Sequence, residues 1–231
     1  MREHIGGFAT EAARVLPFSA PIVEIGARPA EGQEASINLR GLFPDFEYIG
    51  CDIQEGDRVD RIEDVHHLTF EDNSIGGFLA LDTLEHVADP LRALQEIHRV
   101  LRPGGVVIIS SVMFFPIHAH PWDFWRFTPE GFNLLLEPFE SKLVMAFGWE
   151  SMPESVFGVG VKGPMPELAE SLFPETAERA SQWGRDLPVD FGPIRMGIRQ
   201  MWRLTLQETS KEVRRRVSAR KTPAATKTPA A

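Results

Sequence analysis

The feature that most constrains this chain is a succession of short apolar runs bordered by acidic residues. In YIGCDIQEGDRVDRIEDVHHLTFEDNSIGGFLALDTLEHVADP, residues 48–90, Asp52, Asp64 and Asp82 each follow or border such a run. Short runs rich in Val, Ile and Leu read as strands buried on both faces, the habit of parallel sheets. Carboxylates spaced like successive strand ends stand where open α/β sheets bind nucleotide-like ligands.

The rest of the chain extends that pattern. PIVEIGA at 21–27 reads as the first buried strand, and the turn-rich ARPAEGQ leads into a helix through Ile37, Leu39 and Leu42 to Phe43, ended by Pro44. FEYIGCD at 46–52 and GGFLALD at 76–82 read as further strands. Asp89 caps a helix opened by Pro90, with Leu91, Leu94, Ile97 and Leu101 along its buried face. Pro103, Gly104 and Gly105 then turn the chain into the strand VVIISSV, and FESKLVMAFGWE with ESVFGVGVKG reads as a closing pair of strands. The alternation predicts an α/β fold: a doubly wound, Rossmann-like, largely parallel sheet of about seven strands with helices on both faces. Ile194, Ile198, Met201 and Trp202 predict an amphipathic helix near the end.

Length and composition fit one domain, since 231 residues with 43% hydrophobic content can build one α/β core. No apolar run reaches membrane-span length and the N-terminus lacks a signal-peptide pattern, so the cytoplasm is the expected location. The lone Cys51, between Gly50 and Asp52, reads as a buried thiol. Residues 211–231 carry seven Lys/Arg and one Glu, so a total charge of −9 leaves −15 on the first 210 residues. An acidic body argues against a nucleic-acid surface. The basic tail, with its KTPA repeat, is expected to be disordered beyond a single domain at 1–210.

A dinucleotide site needs G-x-G-x-x-G so that a pyrophosphate can approach main-chain amides. In EIGARPAEG, residues 24–32, Gly26 is present, but Arg28 takes the second glycine position and Pro29 removes a donor. NAD and FAD are therefore disfavoured. S-adenosyl-L-methionine (SAM) carries no phosphate and tolerates the change; its ribose diol suits Asp52 and its adenine amine suits Asp64.

At these residues the chain resembles the class I SAM-dependent methyltransferases of the methyltransferase 11 type, from about Ile22 to Val112. Leu84–Pro90 and Arg99–Gly105 match that family's L-E-H-V-x-D-P and R-V-L-R-P-G-G segments. The resemblance implies that Glu24, Gly26 and Ala27 lie near the methionine moiety, Asp52 at the ribose, Ile53, Asp64 and Val65 at the adenine, and Asp82 along the site beyond the central strand. Arg28 departs from the family's glycine pattern. HPWDFWRFTPEG resembles a narrower group associated with surface-polysaccharide or glycoconjugate synthesis.

That segment belongs to an aromatic and histidine-rich loop, about 114–128, expected to overhang the binding crevice; Thr128 caps the helix that follows. His120 is the first candidate for a general base toward a hydroxyl acceptor, followed by His118, with Asp123 near enough in sequence to orient one of them. Two histidines and an acid without a further ligand make a poor metal set, and none is expected. Trp122, Phe124, Trp125 and Phe127 stack on an acceptor or anchor the loop, and Arg126 binds an acidic group or an internal carboxylate. The leading expectation is SAM-dependent methyl transfer to a small-molecule or glycan acceptor, at oxygen. The alternatives are an inactive binding or scaffold protein on the same fold and, less well supported, a nicotinamide or nucleotide-sugar enzyme.

Overall fold

A computed structural model of the chain describes residues 2–29, 37–118 and 122–183, with the main chain of 189–191 and 194–196. Residues Met1–Ser181 form one compact unit. Its centre is a seven-stranded sheet built from β1 (Ile22–Ile25), β2 (Tyr48–Asp52), β3 (Arg61–Ile62), β4 (Ile75–Leu81), β5 (Leu101–Val112), β6 (Ser141–Trp149) and β7 (Met152–Val161). The order across the sheet is β3-β2-β1-β4-β5-β7-β6. From β3 to β5 every pairing is parallel; β7 pairs antiparallel with both β5 and β6. The predicted sheet is thus mostly parallel but mixed at one edge. There a two-residue turn joins β6 to β7, whereas a parallel pair would need a long crossover.

Alternation along the strands decides what each face covers. Val23, Ile25, Phe78, Ala80, Val107, Ile109 and Val156 share a buried cluster with Ala93, Leu94, Ile97 and Val100 of α2 (Pro90–Val100) and Phe132 and Leu135 of α3 (Pro129–Leu135). Phe157, one residue on from Val156, points the other way and stacks on Phe8 of α1 (Glu3–Val15), ring centroids 4.5 Å apart. Every residue of β4 is buried, which explains why its sequence is an unbroken apolar run. As predicted, Asp89 caps α2 by accepting from Arg92 N at 3.1 Å, and Thr128 caps α3 through Gly131 N, also at 3.1 Å.

Long-range contacts tie helix ends to the sheet. Lys162, just past β7, donates from Nζ to the carbonyls of His98 (2.8 Å) and Leu101 (2.7 Å), quenching orphan acceptors at the end of α2. The buried carboxylate of Glu11 on α1 accepts from Glu175 N and Thr176 N, each at 2.9 Å, and so caps α4 (Pro174–Gln182) from another helix.

Leu91, expected on the buried face of α2, is 46% exposed, and Leu101, expected in that helix, opens β5. Three further sequence expectations change. Only a short 3-10 turn, Leu39–Leu42, forms where a helix from Ile37 was expected; the stretch before it, 30–36, lies outside the described residues. Ile194–Met196 is not helical but a strand, β9, paired antiparallel with β8 (Val189–Phe191) in the second unit. The Gly192-Pro193 dipeptide between them is a turn signal that outweighs the helical spacing. Ile198, Met201, Trp202 and the tail at 211–231 lie outside the described residues. The third change is α1, which the sequence reading did not mark.

Candidate active site

The strand register gathers the sequence-selected residues along one edge of the sheet. Ile25 pairs with Cys51, Glu24 with Leu79, and Leu81 with Ser110, so Gly26, Asp52, Asp82 and Ser111 all follow paired positions at the carboxyl ends of β1, β2, β4 and β5. Gly26 has φ +77°, and a Cβ there would come within 2.5 Å of Thr83 Oγ1. Glycine is required on both counts. It leaves main chain exposed at the crest, beside an Asp52 that turns its own loop by accepting from Gln54 N at 3.0 Å. Next to it Ile53 stands 56% exposed, an apolar surface facing solvent at a strand end. Val65, by contrast, is packed in the core, and Asp64 holds His66 through Oδ1 at 2.6 Å from Nδ1. His66 in turn accepts from Asp89 N at 3.2 Å, so it latches the start of α2.

Arg28 does not block this edge. Its guanidinium reaches Gln54 Oε1 at 2.9 Å and its side chain lies over Gly56, where a Cβ would meet Arg28 Cδ at 2.8 Å. Glu24 accepts from Tyr48 Oη at 2.6 Å; burial raises its pKa and that of the phenol, which keeps the proton on Tyr48. Asp82 has φ +50°, an unusual conformation for a side-chain-bearing residue. It accepts from Arg2 Nη2 at 2.9 Å, while Arg2 Nη1 reaches Glu154 at 3.1 Å and Ser155 Oγ at 2.9 Å. Burial alone would raise the Asp82 pKa; the Arg2 charge holds it below the usual carboxylate value.

The aromatic loop lies over the end of β4. Its main chain binds the Glu85 carbonyl through Phe124 N (2.7 Å) and Trp125 N (3.3 Å), and Trp125 Nε1 donates to the Val87 carbonyl at 2.9 Å. Phe127 is buried against Phe132, centroids 5.4 Å apart, and anchors the loop in the core. Trp122 and Phe124 remain 59% and 47% exposed and present aromatic faces outward. Asp123 is held by Arg126 Nη2 at 2.7 Å and accepts from His118 N at 2.7 Å, and these contacts drive its pKa far down. Arg126 is therefore an internal tie, and Asp123 does orient His118, with Oδ2 3.3 Å from Nδ1. His120 lies outside the described residues.

Beneath the loop, Glu85 is fully buried. Oε2 accepts from Ser111 Oγ at 2.6 Å, while Oε1 has no hydrogen-bond partner. Burial, then the nearby Asp82 charge, pushes its pKa up to about 7. From sequence, Glu85 and His86 either fix the turn between strand and helix or line the ligand crevice; the burial and the orphaned oxygen are properties of the assembled site.

Residues 33–109 match the family model for a methyltransferase domain. The chain is 30% identical over 152 residues to a ubiquinone biosynthesis O-methyltransferase from Ruegeria pomeroyi, covering 54% of this chain and 57% of that one. It is 32% identical over 108 residues to a malonyl-[acyl-carrier protein] O-methyltransferase from Dechloromonas aromatica, covering 43% and 40%. By the family match the chain carries a methyltransferase domain. It spans about half the length, or less, of such curated relatives. The fold is also that of the YcgJ protein from Bacillus subtilis, at TM-score 0.51 and 12% identity, covering 71% of this chain and all of the other. SAM is the cofactor of such domains, and the residues present fit it: an exposed glycine crest, a carboxylate at the end of β2 and an exposed apolar side chain beside it. Among the described residues no helix is long and apolar enough to cross a membrane.

Proposed function

We propose that the chain transfers a methyl group to the oxygen of a small-molecule or glycan acceptor, on a doubly wound sheet whose β1, β2 and β4 ends hold the cofactor. The observation that carries this reading is the juxtaposition of two unlike surfaces, the strand-end row of Gly26, Asp52 and Asp82 and the aromatic loop fastened to Glu85. When bound, SAM supplies a methyl group already activated on a sulfonium. The chain then has to bind, orient and exclude water. Asp52 accepts hydrogen bonds from the ribose diol, Ile53 packs on the adenine with Asp64 near its amine, and Glu24, Gly26, Ala27 and Asp82 face the methionine end. Trp122 and Phe124 offer stacking surface to an acceptor, including the apolar face of a sugar. His120 takes the proton from the acceptor hydroxyl, and Asp123 positions the loop by fixing Arg126 and His118. Because Arg28 spends its guanidinium on Gln54 away from the crest, it lends no support to a scaffold without catalysis.

Calorimetry with SAM tests the reading. The full chain should bind it, and Asp52→Ala should weaken binding about tenfold to a hundredfold, the worth of hydrogen bonds to a charged acceptor. Absence of SAM binding at high micromolar concentration would overturn the proposal. In an acceptor screen, His120→Ala should spare SAM binding and reduce turnover about a hundredfold or more; normal turnover would remove His120 as the base.

A further inference from the structure

Among the described residues, Glu85, His86 and His118 each offer a ligand atom, and these atoms all lie within 4.8 Å of one another. Sequence spacing conceals the set, since His118 lies 32 positions beyond His86 and arrives on the aromatic loop. We propose that these three side chains bind a divalent first-row transition cation.

The argument starts from the tautomers. His86 Nδ1 faces the carbonyl oxygen of Trp122, and His118 Nδ1 lies 3.1 Å from the carbonyl oxygen of Pro116. A carbonyl can only accept, so in each neutral ring Nδ1 carries the hydrogen and Nε2 carries the lone pair. His118 Nε2 stands 4.0 Å from Glu85 Oε1, the buried oxygen without a hydrogen-bond partner. The orphaned Glu85 oxygen thus lies beside an imidazole nitrogen across a gap too wide for a hydrogen bond, at a carboxylate buried beneath the loop. A cation between them resolves the arrangement. The surroundings also match a metal site. Ligating histidines usually donate their other ring nitrogen to a carbonyl, and ligating carboxylates are themselves hydrogen-bonded, as Glu85 is by Ser111.

Two imidazoles and one carboxylate favour Zn²⁺, Mn²⁺ or Fe²⁺ over Mg²⁺ or Ca²⁺, which prefer oxygen donors throughout. Three protein ligands leave coordination positions open. Resting on the methyl-transfer reading, those positions would take an acceptor whose hydroxyl stands next to a second oxygen, such as a sugar diol. The cation would then hold the hydroxyl in place and ease loss of its proton.

The test uses the full chain, stripped with chelator and dialysed against Zn²⁺ or Mn²⁺, with bound metal counted by mass spectrometry and SAM affinity measured on the same samples. The expected result is about one ion per chain, with Glu85→Gln and His118→Ala each lowering metal affinity about tenfold or more and SAM affinity changing less than about threefold. His67→Gln, altering an exposed histidine outside the set, should keep uptake intact. His118→Ala keeps the test decisive if Glu85→Gln folds poorly. No stoichiometric uptake of either ion, or uptake that survives both site variants, or uptake lost equally in His67→Gln, would overturn the proposal. Metal uptake without SAM binding would leave the cation site standing and sink the methyl-transfer reading instead.

Discussion

The strand-end row and the aromatic loop are built by opposite means. Gly26, Asp52 and Asp82 take their places from the sheet register, so their relative positions follow from main-chain pairing whatever the side chains bind. The loop is placed by individual fastenings: two amides on the Glu85 carbonyl, the Trp125 indole on Val87, and the Arg126–Asp123 pair within the loop itself. A ligand common to many chains suits the first arrangement, and a ligand particular to one chain suits the second. Loops on a rigid scaffold change composition without disturbing the core.

The comparison breaks most visibly at Gly26. Gly26→Val should lower SAM affinity about a hundredfold or more, because a β-branched residue cannot readily adopt φ +77° and its Cβ would strike Thr83. Calorimetry is the check, and near-normal affinity would show that the row is less rigid than its register implies. Trp125→Phe should act on the other side alone. Leaving the Val87 carbonyl without its donor should lower kcat/KM for the acceptor about tenfold while SAM affinity stays unchanged. If SAM affinity fell in step, the two regions would be one unit.

The smallest effect concerns stability. His4 stacks on Phe147, centroids 4.2 Å apart, and sits among Arg2, Asp82, Glu154 and Ser155. Burial first and the Arg2 charge second push its pKa down to about 3. Below the ordinary histidine value the unfolded chain takes up a proton that the folded chain refuses, so stability falls as the solution is acidified from about pH 6.5 toward pH 3. Urea unfolding at neutral pH and near pH 4.5 should show a loss for the native chain that is smaller in His4→Gln by about 2 kcal/mol. An identical loss in both would remove His4 as the cause.

The strands were legible because burial on both faces leaves unbroken apolar runs, as in β4. The α2 cap was legible because Asp89 and Pro90 are local signals. In α1 the signal was present, with Ile5, Phe8, Ala9 and Ala12 buried at helical spacing, but Gly6 and Gly7 interrupt the propensity that would have drawn attention to it. The two exposed residues of β3 are a strand only because β2 pairs with them. What sequence could not supply was partnership across long separations: Arg2 with Asp82, Glu11 with the start of α4, Glu85 with His118. The carboxylates at strand ends could be found by spacing, but not that Arg2 already engages one of them.

Lys162 gives the sheet a direction. By holding the carbonyls at the end of α2 from the far side of β5, it rivets together the rim opposite the strand-end row. One rim is therefore clamped while the other stays open to ligands: amide exchange should be slow around Leu101 and Lys162.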